Sequence, residues 1–158
     1  MQNNKVTISF LATKHFEEID YYFKLVLRRA VVATLKHEGF DSDAEVSITL
    51  CDNEYIKKLN SEYRNKDTST DVLSFPLYDF SMEDALIPGE AVPLGDIVIS
   101  MERAKEQAKE IGNPFLKEVA FLTVHSMLHL LGYDHELGSE EEEAQCAAQR
   151  EIIESFEI

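Results

Sequence analysis

Three histidines in the last third of the chain have a spacing that suits a shared metal ion. The segment His125–His135 reads HSMLHLLGYDH and holds three of the five histidines of the chain. His125 and His129 are four residues apart, so on a helix their imidazoles project from one face, one turn apart. Gly132 follows where that helix should end, and a glycine there lets the chain turn back toward His135. The spacing therefore predicts one zinc-type ion bound by His125, His129 and His135.

Three protein ligands are typical of a catalytic zinc site, because the fourth tetrahedral position stays open for water. Water activated in this way ionises near neutral pH and becomes a nucleophile. The opposing interpretation makes these histidines core residues with ordinary hydrogen-bond partners. It is weakened because the surrounding sequence offers few polar partners for a buried imidazole. The other two histidines, His15 and His37, are interpreted as residues at a helix start and a helix end.

The same ligand spacing occurs in the H-E-x-x-H-x-x-G-x-x-H metalloproteases, which use the Glu beside the first His as general base. Ser126 occupies that position here, and no acidic residue replaces it locally. A protease of that mechanism is therefore not expected, whereas metal-assisted hydrolysis of another bond stays open. The histidine segment contains no evident general base.

Apolar periodicity places the histidines on a central helix of an α+β domain. The stretch from Pro114 to Leu131 is apolar nearly all round, which is typical of a helix in the middle of a fold. Asn113 is predicted to cap this helix, with Pro114 as its first residue. The remaining pattern predicts a small mixed sheet of about four strands packed with about five helices. The predicted strands are Val6–Leu11, Glu45–Leu50, Thr70–Phe75 (stopped by Pro76) and Gly95–Ile99, and the other predicted helices are Phe16–His37, one from Asp52 or Asn53 to Tyr63, one from the cap Ser100 to Ile111, and one that begins with a capping box of Ser139 and Glu142.

The bulk composition is that of one globular domain. The 158 residues are interpreted as a single domain over residues 1–158, without a secretory signal or an apolar stretch that could cross a membrane. Cys51 and Cys146 lie far apart, so a disulfide framework is not expected and a reducing cytoplasm is predicted. The segment Tyr78–Pro93, which contains two prolines, is predicted to be a long loop.

The charge of the chain bears on its partners. A net charge of −15 argues against a phosphate backbone, because affinity for nucleic acids comes largely from Lys and Arg. The charge is uneven, however, since the stretch from residue 57 to residue 67 carries four basic residues: Lys57, Lys58, Arg64 and Lys66. Two interpretations stay open for this stretch, a surface that faces an anion and an ordinary solvated helix face.

The histidine segment resembles the YbeY family of bacterial and organellar endoribonucleases, whose signature is H-G-x-L-H-L-x-G-Y-D-H. The match is complete except for Ser126, where the family usually has Gly. Two further blocks agree, and the resemblance covers essentially the whole chain. The first is Leu59-Asn60-x-x-Tyr63-Arg64 followed by residues 70–76, TDVLSFP, and the second is residues 94–100, LGDIVIS.

The resemblance implies a cytoplasmic, single-strand-specific, metal-dependent RNA hydrolase. It implies a role in ribosomal RNA maturation, chiefly at the 3′ end of the small-subunit RNA, and in ribosome quality control. It implies zinc on His125, His129 and His135, although another divalent transition metal is possible, and it assigns a functional arginine to Arg64. Neither DNA nor a membrane is expected as a partner. The hydroxymethyl group of Ser126 is expected to narrow the cleft while leaving ligation intact.

We therefore predict that Arg64 and His125 are catalytic. The planar guanidinium of Arg64 suits bidentate contact with a phosphate and stabilisation of developing charge, and the alternative is a solvated arginine at a helix end. Asp134 is either a partner of a ligand imidazole or a turn residue. The carboxylates of Asp71 and Asp96 interrupt apolar strands and are expected to pair with a basic group or to cap a helix.

Tyr133 is predicted to be a packing residue.

Two functions compete with the nuclease. One is a ribosome-assembly factor that mainly binds, with its acidic face docked on a basic ribosomal protein. The other is a zinc hydrolase of a peptide or small substrate.

Overall fold

The computed structural model describes residues 4–79, 90–134 and 137–158. Within these ranges four strands form one sheet and five helices accompany it, which confirms the predicted α+β fold. None of the helices in this part of the chain is both long and apolar enough to cross a membrane. The strands are β1 Val6–Ala12, β2 Ala44–Cys51, β3 Val72–Pro76 and β4 Val92–Ser100, and the helices are α1 Tyr21–His37, α2 Asn53–Arg64, α3 Met101–Ile111, α4 Phe115–Leu130 and α5 Ser139–Glu154.

The sheet is mixed, with the order β1-β2-β4-β3. Strands β1, β2 and β4 run parallel, and β3 pairs antiparallel with β4, with Ser74 opposite Ile97. Among the described strands, β3 is therefore an edge strand. Gly95 permits this pairing, because a Cβ atom at that position would lie 2.3 Å from the carbonyl oxygen of Phe75.

Helix α4 is the central helix that the apolar pattern predicts. It contacts α1, α3 and α5 as well as strands β3 and β4. Met127 and Leu130 are buried in the main core with Ile48 and Ile97 of the sheet. Burial on nearly all sides explains why the sequence of α4 shows no polar stripe.

Several element ends differ from the predictions for identifiable reasons. Helix α1 begins at Tyr21 instead of Phe16, because the carboxylate of Asp20 accepts the N–H of Phe23 at 2.8 Å and so fixes the N-terminus. Strand β3 begins at Val72 instead of Thr70, and it ends at Pro76, one residue later than predicted. Proline is tolerated on an edge strand, where its missing N–H costs no ladder hydrogen bond. Strand β4 begins at Val92, so the end of the predicted 78–93 loop is a strand, and residues 80–89 of that loop lie outside the described residues.

Two predicted helix caps are wrong and two are confirmed. Asn113 does not cap α4; its N–H instead bonds to Ala108 at the end of α3, and Pro114 is the N-cap. The capping box at the start of α5 is also absent, because Gly138 is the N-cap and Ser139 is the first helical residue. The predicted caps of α3 and α2 are confirmed: Ser100 accepts the N–H of Arg103, and Asp52 accepts that of Tyr55.

Candidate metal centre and cleft

At the end of α4 the chain turns at Gly132, as the sequence predicts. The N–H of Gly132 bonds to the carbonyl of His129, and the N–H of Tyr133 bonds to that of Leu128, both at 3.0 Å. This pair of bonds is the Schellman arrangement, which needs positive φ at the residue after the cap, and Gly132 has a φ of +111°. His135 and Glu136 lie outside the described residues, so the third metal ligand stays a prediction.

The rings of His125 and His129 lie side by side on one face of α4. Their centroids are 4.8 Å apart and their planes cross at 68°. Both side chains are partly buried, and both line the same cleft. Two imidazoles one helical turn apart are a common donor pair for zinc and other divalent transition metals, so the residues present fit such an ion.

The cleft has a volume of about 1150 Å³ and follows the open edge of β3. The end of α2 and the loop after it form one wall, and the end of α4 with the following turn forms the other. The lining residues are Asn60, Arg64, Lys66, residues 68–74, residues 76–79, His125 and residues 129–134.

Arg64 lies in this cleft together with the histidines. It is the last residue of α2, and its Nη2 donates to the carbonyl oxygen of Ser74 at 3.1 Å. The buried amide of Asn60 donates to the carbonyl of Thr68 at 2.9 Å and so anchors the loop that leads from α2 to β3. The sequence stretch that contains Arg64 is thus brought to the histidines by α2 and by the edge of the sheet.

Only half of the predicted basic patch faces the cleft. Arg64 and Lys66 line it, whereas Lys57 and Lys58 are exposed residues of α2 outside the lining. The cationic surface available to a ligand in the cleft is therefore smaller than the sequence suggests.

Ser126 does not narrow the cleft, contrary to expectation. Its side chain is fully buried and is not among the lining residues. Its hydroxyl lies 2.7 Å from the hydroxyl of Ser74. The serine therefore links α4 to β3 behind the histidine face.

Two glutamines of α5 contact His125, and the sequence analysis missed both. The Nε2 atom of Gln149 lies 2.9 Å from Nδ1 of His125, and that of Gln145 lies 3.3 Å from the same nitrogen. Both side chains are buried. One feature of the sequence could have indicated them. The two glutamines are four residues apart on the helix face that also carries the buried Ala148 and Ile152, and a buried amide requires a hydrogen-bond partner.

Asp71 has different partners from those predicted. Its carboxylate accepts the N–H of Val72 at 2.8 Å and the amide of Gln107 at 3.2 Å. Among the described residues it therefore neither pairs with a base nor caps a helix. Nearby Glu118 is buried in α4, and burial, assisted by the charge of Asp71, raises the pKa of its carboxyl. Asp96 lies in β4, away from this cleft, and lines a small recess beside Glu45.

A residue at the end of α1 also contacts the turn that follows α4. Tyr133 packs against the cluster that contains Leu128, which confirms its predicted packing role. Burial and a hydrogen bond to Glu38 raise the pKa of its hydroxyl to about 12. Asp134 lines the cleft, and both interpretations of its role stay open.

His37 lies at the end of α1, as predicted, but it also joins two helices. Its Nε2 lies 2.7 Å from Glu151 of α5 and its Nδ1 lies 2.6 Å from Glu38. These two carboxylates raise the pKa of the imidazole.

Comparison with known proteins identifies relatives over most of the chain. A family model described as Endoribonuclease YbeY matches residues 9–157. A protein named Endoribonuclease YbeY from Caldanaerobacter subterraneus is 55% identical over 128 residues, which are 78% of this chain and 79% of that protein. A protein of the same name from Bacillus cereus strain G9842 is 42% identical over 142 residues, 89% of this chain and 90% of the relative.

The fold also has a counterpart among solved structures. The solution structure of TM1509 from Thermotoga maritima superposes with a TM-score of 0.61 at 28% sequence identity. The superposition covers 94% of this chain and 87% of that protein.

Proposed function

The chain belongs to the endoribonuclease YbeY family and is a hydrolase of RNA, and we propose that it cleaves single-stranded RNA in the cleft along β3. The observation that carries the proposal is the meeting of Arg64 with His125 and His129 in one cleft, although α2 and α4 are far apart in sequence. A cation suited to a phosphate and a donor pair suited to a metal are two parts that metal-assisted phosphodiester hydrolysis uses.

We propose that His125, His129 and His135 hold one zinc-type ion. The donor chemistry supports zinc and also admits other divalent transition metals. When bound, such an ion would act as a Lewis acid that polarises a phosphoryl oxygen or a water molecule. The side chains around it determine what reaches it and in which orientation.

Arg64 is proposed to bind the phosphate that is attacked. Its Nη2 already donates to Ser74, which orients the planar guanidinium at the edge of the cleft. A fixed guanidinium offers paired N–H groups to two phosphate oxygens and stabilises charge that develops on them. Lys66 lies in the same lining and supplies a second cation for the backbone of the strand.

The preference for single-stranded RNA follows from the depth of the site. His125 and His129 are only partly exposed, so a phosphate must enter the cleft to approach them. A strand with unpaired bases bends into such a recess more readily than a rigid duplex does.

We propose ribosomal RNA maturation, chiefly at the 3′ end of the small-subunit RNA, and ribosome quality control as the setting, in the cytoplasm. This part rests on the family resemblance of the sequence. The acidic surface supports a basic ribosomal protein as docking partner, because the first turn of α5 presents Glu140, Glu141 and Glu142.

The net charge of −15 favours a second candidate, an assembly factor that binds the ribosomal small subunit with little or no catalysis. The two functions differ in how RNA is held. A steep loss of RNA affinity with added salt indicates direct phosphate contact and supports the nuclease. Binding that requires a ribosomal protein supports the assembly factor.

The decisive experiment measures metal content and RNA cleavage on the same preparations. We expect the wild type to carry about one zinc per chain and to cleave single-stranded RNA but not a duplex of the same sequence. His125→Ala should lose both properties while it stays folded, and His15→Ala, an exposed histidine outside the cleft, should keep both. A wild type that binds metal without cleaving RNA, or that turns over only peptides, would refute the nuclease.

A further inference from the structure

We propose that Gln149 is a positioning residue that sets the proton of His125 on Nδ1 and thereby presents Nε2 to the metal ion. The inference deepens the proposed function, since it rests on the metal centre described above. It assigns a role in that centre to α5, which lies outside the histidine segment.

The contacts with α5 fall on one ring nitrogen of His125, Nδ1. Gln149 is 4% exposed, and its amide nitrogen lies 2.9 Å from Nδ1 of His125. Gln145, 1% exposed, reaches the same nitrogen at 3.3 Å. Because two amides of α5 contact Nδ1, an ion in the cleft would bind His125 through Nε2.

The donor rules for amides then limit the proton on the ring. An amide nitrogen only donates, so with the nitrogen of Gln149 at Nδ1 the neutral imidazole carries its proton on Nε2. A proton there blocks the lone pair that the metal needs. In metal sites the ligand histidine instead donates its other N–H to an oxygen, which sets the tautomer and raises the basicity of the ligand.

A half-turn of one amide resolves this conflict. The nitrogen and oxygen of a glutamine amide are nearly equal in size, and either fits the same position. Rotation of the Gln149 amide places Oε1 at Nδ1, which then donates its proton, and Nε2 keeps its lone pair. The two amide orientations thus correspond to the two tautomers of His125.

Gln145 is not equivalent to its neighbour one turn away. Its Nε2 also lies 3.5 Å from the main-chain carbonyl oxygen of His125, so a half-turn would bring two oxygens together. Its Oε1 is buried without a hydrogen-bond partner in the described part of the chain. Gln145 therefore holds α5 against α4 in one orientation. When Nδ1 of His125 carries the proton, the main-chain carbonyl oxygen of His125 is the acceptor for the amide of Gln145, and Gln149 is the residue that turns.

The test compares three variants of the full chain. Gln149→Glu can only accept from Nδ1, Gln149→Met keeps the length of the side chain without any hydrogen bond, and Gln145→Met is the matched control on the same face. Zinc affinity is measured by chelator competition, and the tautomer of His125 by long-range ¹⁵N–¹H NMR. Thermal unfolding followed by circular dichroism establishes that each variant is folded.

We expect Gln149→Met to bind zinc about 10–100-fold more weakly than the wild type. The zinc affinity of Gln149→Glu should stay within about threefold of that of the wild type, because in many zinc sites a carboxylate accepts the second ring N–H of a histidine ligand. His125 should carry its proton on Nδ1 in the zinc-loaded wild type and, without metal, in Gln149→Glu but not in Gln149→Met. Gln145→Met should weaken binding less than Gln149→Met does.

Two results would overturn the proposal. One is a folded Gln149→Met that binds zinc as tightly as the wild type, and the other is a Gln149→Glu as weak as Gln149→Met. A wild type that binds no zinc would refute the metal centre itself. In that event the tautomer spectra of the metal-free proteins still decide the role of Gln149, which is wrong if His125 has the same tautomer in all of them.

Discussion

The hydroxyl of Ser126 lies 2.7 Å from the hydroxyl of Ser74, with both side chains buried. This contact joins the helix that carries His125 to the strand whose carbonyl accepts from Arg64. This hydrogen bond therefore connects the two parts of the proposed site behind the cleft.

Removal of that hydrogen bond should destabilise the fold. Ser126→Ala leaves the Ser74 hydroxyl buried and unpaired, which costs about 1–3 kcal/mol in the free energy of unfolding. Urea denaturation measures this loss. The double variant Ser126→Ala with Ser74→Ala should lose less than the sum of the two single variants, and strict additivity would show that the hydroxyls do not interact.

Loss of the Arg64 guanidinium should affect cleavage far more than folding. We expect Arg64→Ala to reduce the rate constant for single-stranded RNA cleavage about 100- to 1000-fold, the range for a group that stabilises developing charge. Single-turnover cleavage measures it. Lys57→Ala, on the same helix but outside the cleft lining, is the control and should retain the wild-type rate. Full activity of a folded, metal-loaded Arg64→Ala would remove Arg64 from the mechanism.

His37 should make stability depend on pH. Glu151 and Glu38 raise its pKa in the folded protein, so the imidazolium form favours folding. This contribution is fully present below the unfolded pKa, about 6.5, and is lost as the pH rises through the higher folded value. The difference in unfolding free energy between wild type and His37→Gln should be largest at acidic pH and shrink toward alkaline pH. A difference that does not change with pH would contradict the pairing.

The two cysteines should react at very different rates. Burial raises the pKa of the Cys51 thiol to about 12, so its reactive thiolate is scarce at neutral pH, whereas Cys146 is exposed on α5. We expect a thiol reagent to modify one cysteine per native chain and two in denaturant, with mass spectrometry locating the first on Cys146. Rapid modification of Cys51 in the native protein would show that the core around it opens.

A side chain at Gly95 should disturb the cleft through β3. The Cβ of Gly95→Ala would lie 2.3 Å from the carbonyl oxygen of Phe75, so the edge strand must move. We expect lower stability, by at least about 1–3 kcal/mol for the backbone strain alone, together with slower cleavage. Gly39→Ala is the control, because Gly39 also has positive φ but its Cβ would meet no atom within 4 Å. Equal effects of the two substitutions would show that crowding at β3 is unimportant.

The sequence predicts the elements better than their ends and their contacts. Helix α4 is recognisable because burial on nearly all sides requires mostly apolar residues. Its N-terminus is not, because the N-cap falls on Pro114, one residue after Asn113, and no side chain caps the helix there. The strand order and the antiparallel pairing of β3 depend on tertiary packing, which periodicity does not encode.

The site shows the same division. The spacing of His125 and His129 places two rings on one face without reference to the rest of the fold. The role of Arg64 comes from the family resemblance, since its charge alone fits a solvated helix end equally well. The contacts of Gln145 and Gln149 could not be predicted from the sequence because their partner lies on another helix. Only the packing of α5 on α4 brings them to His125.

The edge of β3 has a consequence for how copies of the protein behave in solution. An open strand edge invites pairing with the edge of another molecule and so promotes aggregation. Here Arg64 occupies the outward carbonyl of Ser74, and Pro76 lacks the N–H that an added strand would need. We therefore expect the arginine that we assign to RNA also to hinder the pairing of this edge with a second copy of the protein as long as the cleft is empty.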